Sequence, residues 1–195
     1  MNQIEQIYSS LKEQKEEKTG LSIPPLDTII MGYCSNLEDL LSYCITSGIP
    51  FSSIPKDYEF PSLIECAKEG HLLSIIYLLS IGNDYYTEVM DTASKYGHLQ
   101  IVKYLHSIGK KCTIEAMVLA SRYNHIEVVK YLHSIKEFCS HYAMDWAAMQ
   151  GHLEVVKYLH SIGGCFAEYI MPEVKRRGHI EVFNYLNPLT QNRIY

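Results

Sequence analysis

The sequence is short of most features that announce a chemistry. It has one tryptophan, no Cys-x-x-Cys pair and no Asn-x-Ser/Thr sequon. Six cysteines without a disulfide or zinc spacing point to a reducing, intracellular compartment, here the cytoplasm. The opening segment MNQIEQIYSS lacks the charged-then-apolar order of a secretory signal. No apolar run approaches the ~20 residues that span a bilayer, so no membrane partner is expected. A basic excess is missing too. Seventeen Lys and Arg against 22 Asp and Glu leave a net charge of −5 and a pI of about 6.0. A nucleic-acid-binding domain would bring the pI above ~9, so nucleic acid is not expected as a partner. Phosphate-cradling and hydrolase motifs are also lacking: no GxGxxG, no Gly-x-x-x-x-Gly-Lys-Ser/Thr, no HExxH and no GxSxG. Hydrophobic residues reach 47% and charged residues 20%, which excludes a disordered chain. A length of 195 residues suits one domain or one small array.

What is plentiful is histidine and tyrosine, nine and sixteen residues respectively. Five of the histidines, His71, His98, His125, His152 and His179, are separated by intervals of 27 residues. A tyrosine and then a leucine follow each one, from Tyr77-Leu78 to Tyr185-Leu186. A glycine precedes four of the five anchors, with Asn124 as the exception. A fixed period of this size is the mark of a repeat array.

Each copy reads as two short helices. After His152 the apolar residues Leu153, Val155, Val156, Leu159 and Ile162 form a broad helical stripe, whereas a strand would alternate. Glu154 and its equivalents stand in the first turn, where the helix dipole favours an anion. Gly82, Gly109 and Gly163 suit left-handed caps at three helix ends. The helix before each anchor carries Leu63, Met90, Met117, Met144 and Met171 at one shared position. Small pairs follow at Cys66-Ala67, Ala93-Ser94, Ala120-Ser121 and Ala147-Ala148, so that neighbouring helices can approach closely. One such pair cannot bury its own stripe, but a stack of pairs can. The last copy departs from the pattern as an end copy should, with Pro172, Lys175, Arg176 and Arg177 in place of apolar or small residues. Its final helix is expected to end at Asn187-Pro188.

The segment Ala147 to Gly163, AAMQGHLEVVKYLHSIG, resembles the helix-turn-helix half of an ankyrin repeat, and the resemblance extends from Pro61 to about Pro188. Two departures stand out: a period of 27 where ankyrin repeats use 33, and the missing Thr-Pro-Leu-His start, replaced in the second copy by Glu88-Val89-Met90-Asp91. The shortfall lies where the projecting hairpin of an ankyrin repeat would be. The resemblance implies an all-α solenoid with shortened hairpin loops over residues 61–195. It implies a non-enzymatic, monomeric scaffold that binds another protein on a concave face lined by first helices. Short repeats of this kind are abundant in large DNA viruses of amoebae and in amoebae, which would make the partner a host protein.

The N-terminal third is more ambiguous. Residues 1–20 read as a leader helix with Ile4, Ile7, Tyr8 and Leu11 on one side. Residues 21–60 have two readings. In one, Asn36 takes the anchor position and Leu37, Leu40 and Leu41 supply a stripe, making a degenerate capping repeat. In the other, Ile23-Pro24 through Asp39-Leu40-Leu41-Ser42 resembles an F-box, which implies a ubiquitin-ligase scaffold as a second partner.

The histidines deserve testing as metal ligands. Zinc needs nitrogens at ~2.0–2.1 Å in one tetrahedron. Equivalent residues on stacked helices stand ~8–10 Å apart, and His98 and His106 are ~12 Å apart along one helix. No metal and no cofactor are therefore expected, and the anchors are expected to satisfy backbone groups at the turns. Carboxylates that recur once per copy, such as Glu127, Glu154 and Glu181, fit a structural role, so no catalytic residue is assigned.

Function is expected where copies differ on an exposed face. Between the small pair and the turn come Lys68-Glu69, Lys95-Tyr96, Arg122-Tyr123, Met149-Gln150 and Arg176-Arg177. Slightly earlier come Asp91, Leu119, Asp145 and the lone Trp146. Tyr, Trp and Arg are the residues of interface hot spots. The candidate partner-binding set is Lys68, Lys95, Tyr96, Arg122, Tyr123, Trp146, Met149 and Gln150. The regular tyrosines, Tyr77 to Tyr185, are expected to pack.

Overall fold

The computed structural model describes residues 37–48, 54, 59–135 and 141–191. The leader segment, the Ile23-Pro24 start of the F-box-like stretch and Cys139 lie outside the described residues. The chain divides into two compact units, residues 1–85 and 86–195. Every regular element described in them is helical, with no strand among the described residues. No helix among them is long and apolar enough to cross a membrane.

The first unit holds α1 (Leu37–Ser47), α2 (Leu63–Glu69) and α3 (Leu72–Ser80). Helix α1 packs on α3, and α2 pairs with α3. Leu37, Leu40, Leu41 and Cys44 of α1 are fully buried. The Glu38 carboxylate accepts the Leu73 N–H at 3.1 Å, the Ser74 N–H at 2.8 Å and the Ser74 hydroxyl at 2.8 Å. It thus caps the start of α3, whose own N-cap His71 makes no side-chain cap bond. Ser62 and Glu65 form a reciprocal capping box at the start of α2.

The second unit is four helix pairs. They are α4 (Thr87–Lys95) with α5 (Leu99–Ser107), α6 (Ile114–Arg122) with α7 (Ile126–Ser134), α8 (His141–Met149) with α9 (Leu153–Ser161), and α10 (Met171–Arg176) with α11 (Ile180–Gln191). First helices stack in the order α4, α6, α8, α10, and second helices in the order α5, α7, α9, α11. The shared methionines Met90, Met117 and Met144 and the small pairs behind them are at most 1% exposed, as the periodicity predicts.

The turn inside each pair explains the residue before the anchor. The backbone N–H of His98, His125 and His152 reaches back over five residues to the carbonyls of Ala93, Ala120 and Ala147, at 2.9 Å each. That closure needs a left-handed residue in between, and Gly97, Asn124 and Gly151 have φ of 79°, 65° and 81°. Gly109 and Gly163 end second helices in the same way. The connectors at 83–86, 110–113 and 164–167 contain no strand, consistent with trimmed hairpins.

The last copy corrects one expectation. Helix α11 does not stop at Asn187-Pro188 but runs to Gln191, with Pro188 inside it. Proline keeps a helical φ but loses its N–H bond and crowds the carbonyl four residues back, and here that cost falls near the helix's C-terminal end. The first helix of this copy is split into a 3₁₀ turn, Glu168–Ile170, and α10, with Pro172 in the first turn, where its missing N–H is harmless.

Candidate partner-binding surface

Two ladders of side chains run between the copies of the second unit and hold the candidate site in place. The first is built on the anchors. His152 bonds through Nε2 to the carbonyl of Arg122, thirty residues earlier, at 2.9 Å. His125 bonds in the same register to the backbone of Lys95. These two anchors therefore tie down the last turn of the preceding copy's first helix, as the sequence reading expected of a turn histidine. An anchor ring also lies over the preceding copy's turn. A Cβ on Gly97 would run into the His125 ring, and one on Gly151 into the His179 ring. Burial lowers the His125 pKa, and the neighbouring His98 and His152 add to the depression.

The second ladder joins second helices. Nδ1 of His106, His133 and His160 bonds the hydroxyls of Tyr131, Tyr158 and Tyr185 at 2.9, 2.9 and 2.7 Å. The rings meet edge to face at 5.7–5.9 Å. The tyrosines are structural, as their regularity implied, but the specific pairing was missed. Its signal is in the sequence: each second histidine is followed by a tyrosine 25 residues later. Among the described residues, no three His, Cys, Asp or Glu come together as a metal site.

Two of the variable positions are not on the surface. Asp91 and Asp145 are 7% and 1% exposed, not partner-facing as expected. Asp91 accepts the Thr113 N–H at 2.9 Å and the Thr113 hydroxyl at 2.7 Å. Asp145 accepts the Ala167 N–H at 2.8 Å, and its second oxygen is buried without a partner. Both carboxylates clamp the connector that enters the next copy, and burial raises both pKa values. The physical reason is the shortened connector. With little loop left to project, its backbone N–H comes within reach of the preceding first helix.

The rest of the set clusters. Lys95, at the end of α4, holds Nζ over Tyr96 at 5.3 Å and over Tyr123 of the next copy at 5.5 Å. Arg122, at the end of α6, holds Cζ 5.6 Å from Tyr123 and 4.0 Å from Trp146 on α8. Tyr96 and Tyr123 are 39% and 42% exposed, while Lys95, Arg122 and Trp146 are half-buried. Three copies thus share one run of alternating cations and rings. Met149 and Gln150 take the equivalent place at the end of α8 and are half-buried. The Met149 carbonyl accepts Nη1 of Arg177 at 3.3 Å. Arg176 and Arg177 both grip Glu173, which drops that carboxyl to about 2. Lys68 belongs to the first unit, is exposed and pairs with Glu69 at 3.2 Å.

Stacked pairs of short helices with an αL turn within each pair make up the described part of the second unit. A family model for ankyrin repeats (three copies) matches residues 89–168, from α4 through the 3₁₀ turn. No curated protein matches the chain. Proteins built on these repeats are typically non-enzymatic and bind other proteins.

Proposed function

We propose that the chain is a non-enzymatic scaffold that holds a partner protein on the concave face of its ankyrin-like array. The observation that carries this reading is the run Lys95, Tyr96, Tyr123, Arg122 and Trp146. Large, partly exposed rings and cations meet across three copies, at positions where the array does not repeat itself. Such residues supply much area with few rotamers to freeze, and the buried helices beneath need not rearrange. Replacing Tyr96→Ala together with Tyr123→Ala is expected to weaken a captured partner at least tenfold, by ~1.4 kcal/mol or more. The thermal midpoint should stay within ~2 °C, since both rings are surface groups. Unaltered affinity removes these residues from the site.

For residues 21–60 we favour the capping repeat over the F-box. Leu40 and Leu41, central to the F-box resemblance, are buried in α1, and α1 packs on α3 as second helices pack on one another elsewhere. Deleting residues 1–60 should leave no ligase scaffold to lose and should weaken the first unit. An intracellular site of action is our reading of six cysteines that show no disulfide-framework or zinc spacing.

A further inference from the structure

The charge on the ring cluster is uncompensated, and that fact specifies the partner. Lys68, Lys130, Lys157, Arg176 and Arg177 each meet a carboxylate within 3.2 Å. Lys95 and Arg122 do not; among the described residues their charges are met only by the faces of Tyr96, Tyr123 and Trp146. The acidic residues on their own helices, Glu88 and Glu115, stand in the first turns. At 1.5 Å per residue those lie ~10 Å away along the axis. A chain of net charge −5 therefore shows a positive strip here that no carboxylate meets; Lys103 and Lys175 likewise lie over single rings, whereas Lys95 and Arg122 share one.

We propose that this strip binds an acidic peptide segment in extended form, with two carboxylates two residues apart and an apolar side chain two residues beyond them on the same face. The inference rests on the scaffold reading above and adds the chemistry of the partner. Arg122 stacked on Trp146 keeps its in-plane N–H edges free, so the fork is already oriented for a bidentate carboxylate. Lys95 supplies the second point charge. Both cations sit over the Tyr123 ring, at 5.5 and 5.6 Å from its centroid, so they stand within about 11 Å of each other. An extended chain advances ~3.3 Å per residue and turns alternate side chains to one face, so same-face carboxylates at i and i+2 are ~7 Å apart, within that limit. The exposed Tyr96 ring then lies under the next side chain on that face. The anchor histidines hold the carbonyls of Lys95 and Arg122, which fixes the backbone from which both cations project.

The test is selection of a random twelve-residue peptide library on the full-length chain, followed by titration of the selected peptides. Trp146, the only tryptophan, serves as the fluorescent reporter. Selected peptides should be enriched in the acidic-x-acidic pattern. They should quench or shift Trp146 fluorescence and lose at least tenfold affinity on Arg122→Gln, with circular dichroism unchanged. Lys95→Glu with Arg122→Glu should redirect selection to basic peptides; if that variant does not fold, Arg122→Gln and Lys95→Gln carry the test alone. Peptides without an acidic preference, or indifferent to Arg122→Gln, overturn the inference and leave the scaffold reading intact. Failure to select any peptide overturns both. Tight, salt-sensitive binding of a dT20 oligonucleotide that displaces the peptides assigns the strip to nucleic acid and overturns it as well.

Discussion

Single atoms decide much of the energetics. Asp145 and Asp91 occupy the same place in alternate copies, yet only Asp91 has both oxygens satisfied, because Thr113 brings a hydroxyl where Ala167 brings none. Ala167→Thr supplies that donor and should raise stability by ~1 kcal/mol, the usual worth of one such bond, read from the urea midpoint. His125 sets a pH dependence. Its pKa is lowered on folding, so the unfolded chain binds the proton more readily. Stability is then full above the ordinary value of 6.5 and declines as pH falls from there toward the depressed value. Urea midpoints should drop between pH 7.5 and 5.5, and His125→Gln should flatten that slope. The buried aspartates work the other way at lower pH: raised carboxyl pKa values favour the folded state once protons are taken up. The backbone role of His125 was legible in the sequence, but the aspartate environments were not. Asp91 and Asp145 vary between copies, which suggests a surface, yet variation also marks buried joints that come in two chemical versions.

At the scale of the helix pair the sequence was far more readable. A 27-residue rhythm of His, Tyr and small residues located both helices of each copy and the turn between them, because one backbone closure is reused at every anchor. Pro188 misled, since proline ends most helices, whereas this one continues past it to Gln191. The joints between pairs were less legible, because spacing within a copy says nothing about which side chain meets the next one. His133 and Tyr158 make such a joint. A double-mutant cycle with His133→Phe and Tyr158→Phe should give a coupling energy of ~0.5–1.5 kcal/mol from the lost hydrogen bond and edge-to-face contact. A coupling near zero would make the ladder a by-product of stacking.

For the molecule as a whole, stability should accumulate copy by copy. The end copy shelters its neighbour through Ile170, Val174, Val182 and Leu186, all nearly inaccessible to water. Ending the chain after Gly164 removes them and strands His160 without Tyr185. At ~1.5–3 kcal/mol per buried aliphatic side chain, the loss should be on the order of 5 kcal/mol or more, with a smaller urea m-value. The array was visible in the sequence at this scale and the candidate surface only in part. Five of its residues converge on one run of rings and cations, whereas Met149 and Gln150 sit beyond its last ring and Lys68 belongs to the other unit. The histidine-to-tyrosine joint carries a genetic corollary. An interior copy bears both halves, a tyrosine for the copy before it and a histidine for the copy after it. Duplication or loss of one 27-residue unit by recombination therefore leaves every seam closed. Array length can change in a single event, and with it the reach of the surface, while each surviving copy remains free to alter the few side chains it shows.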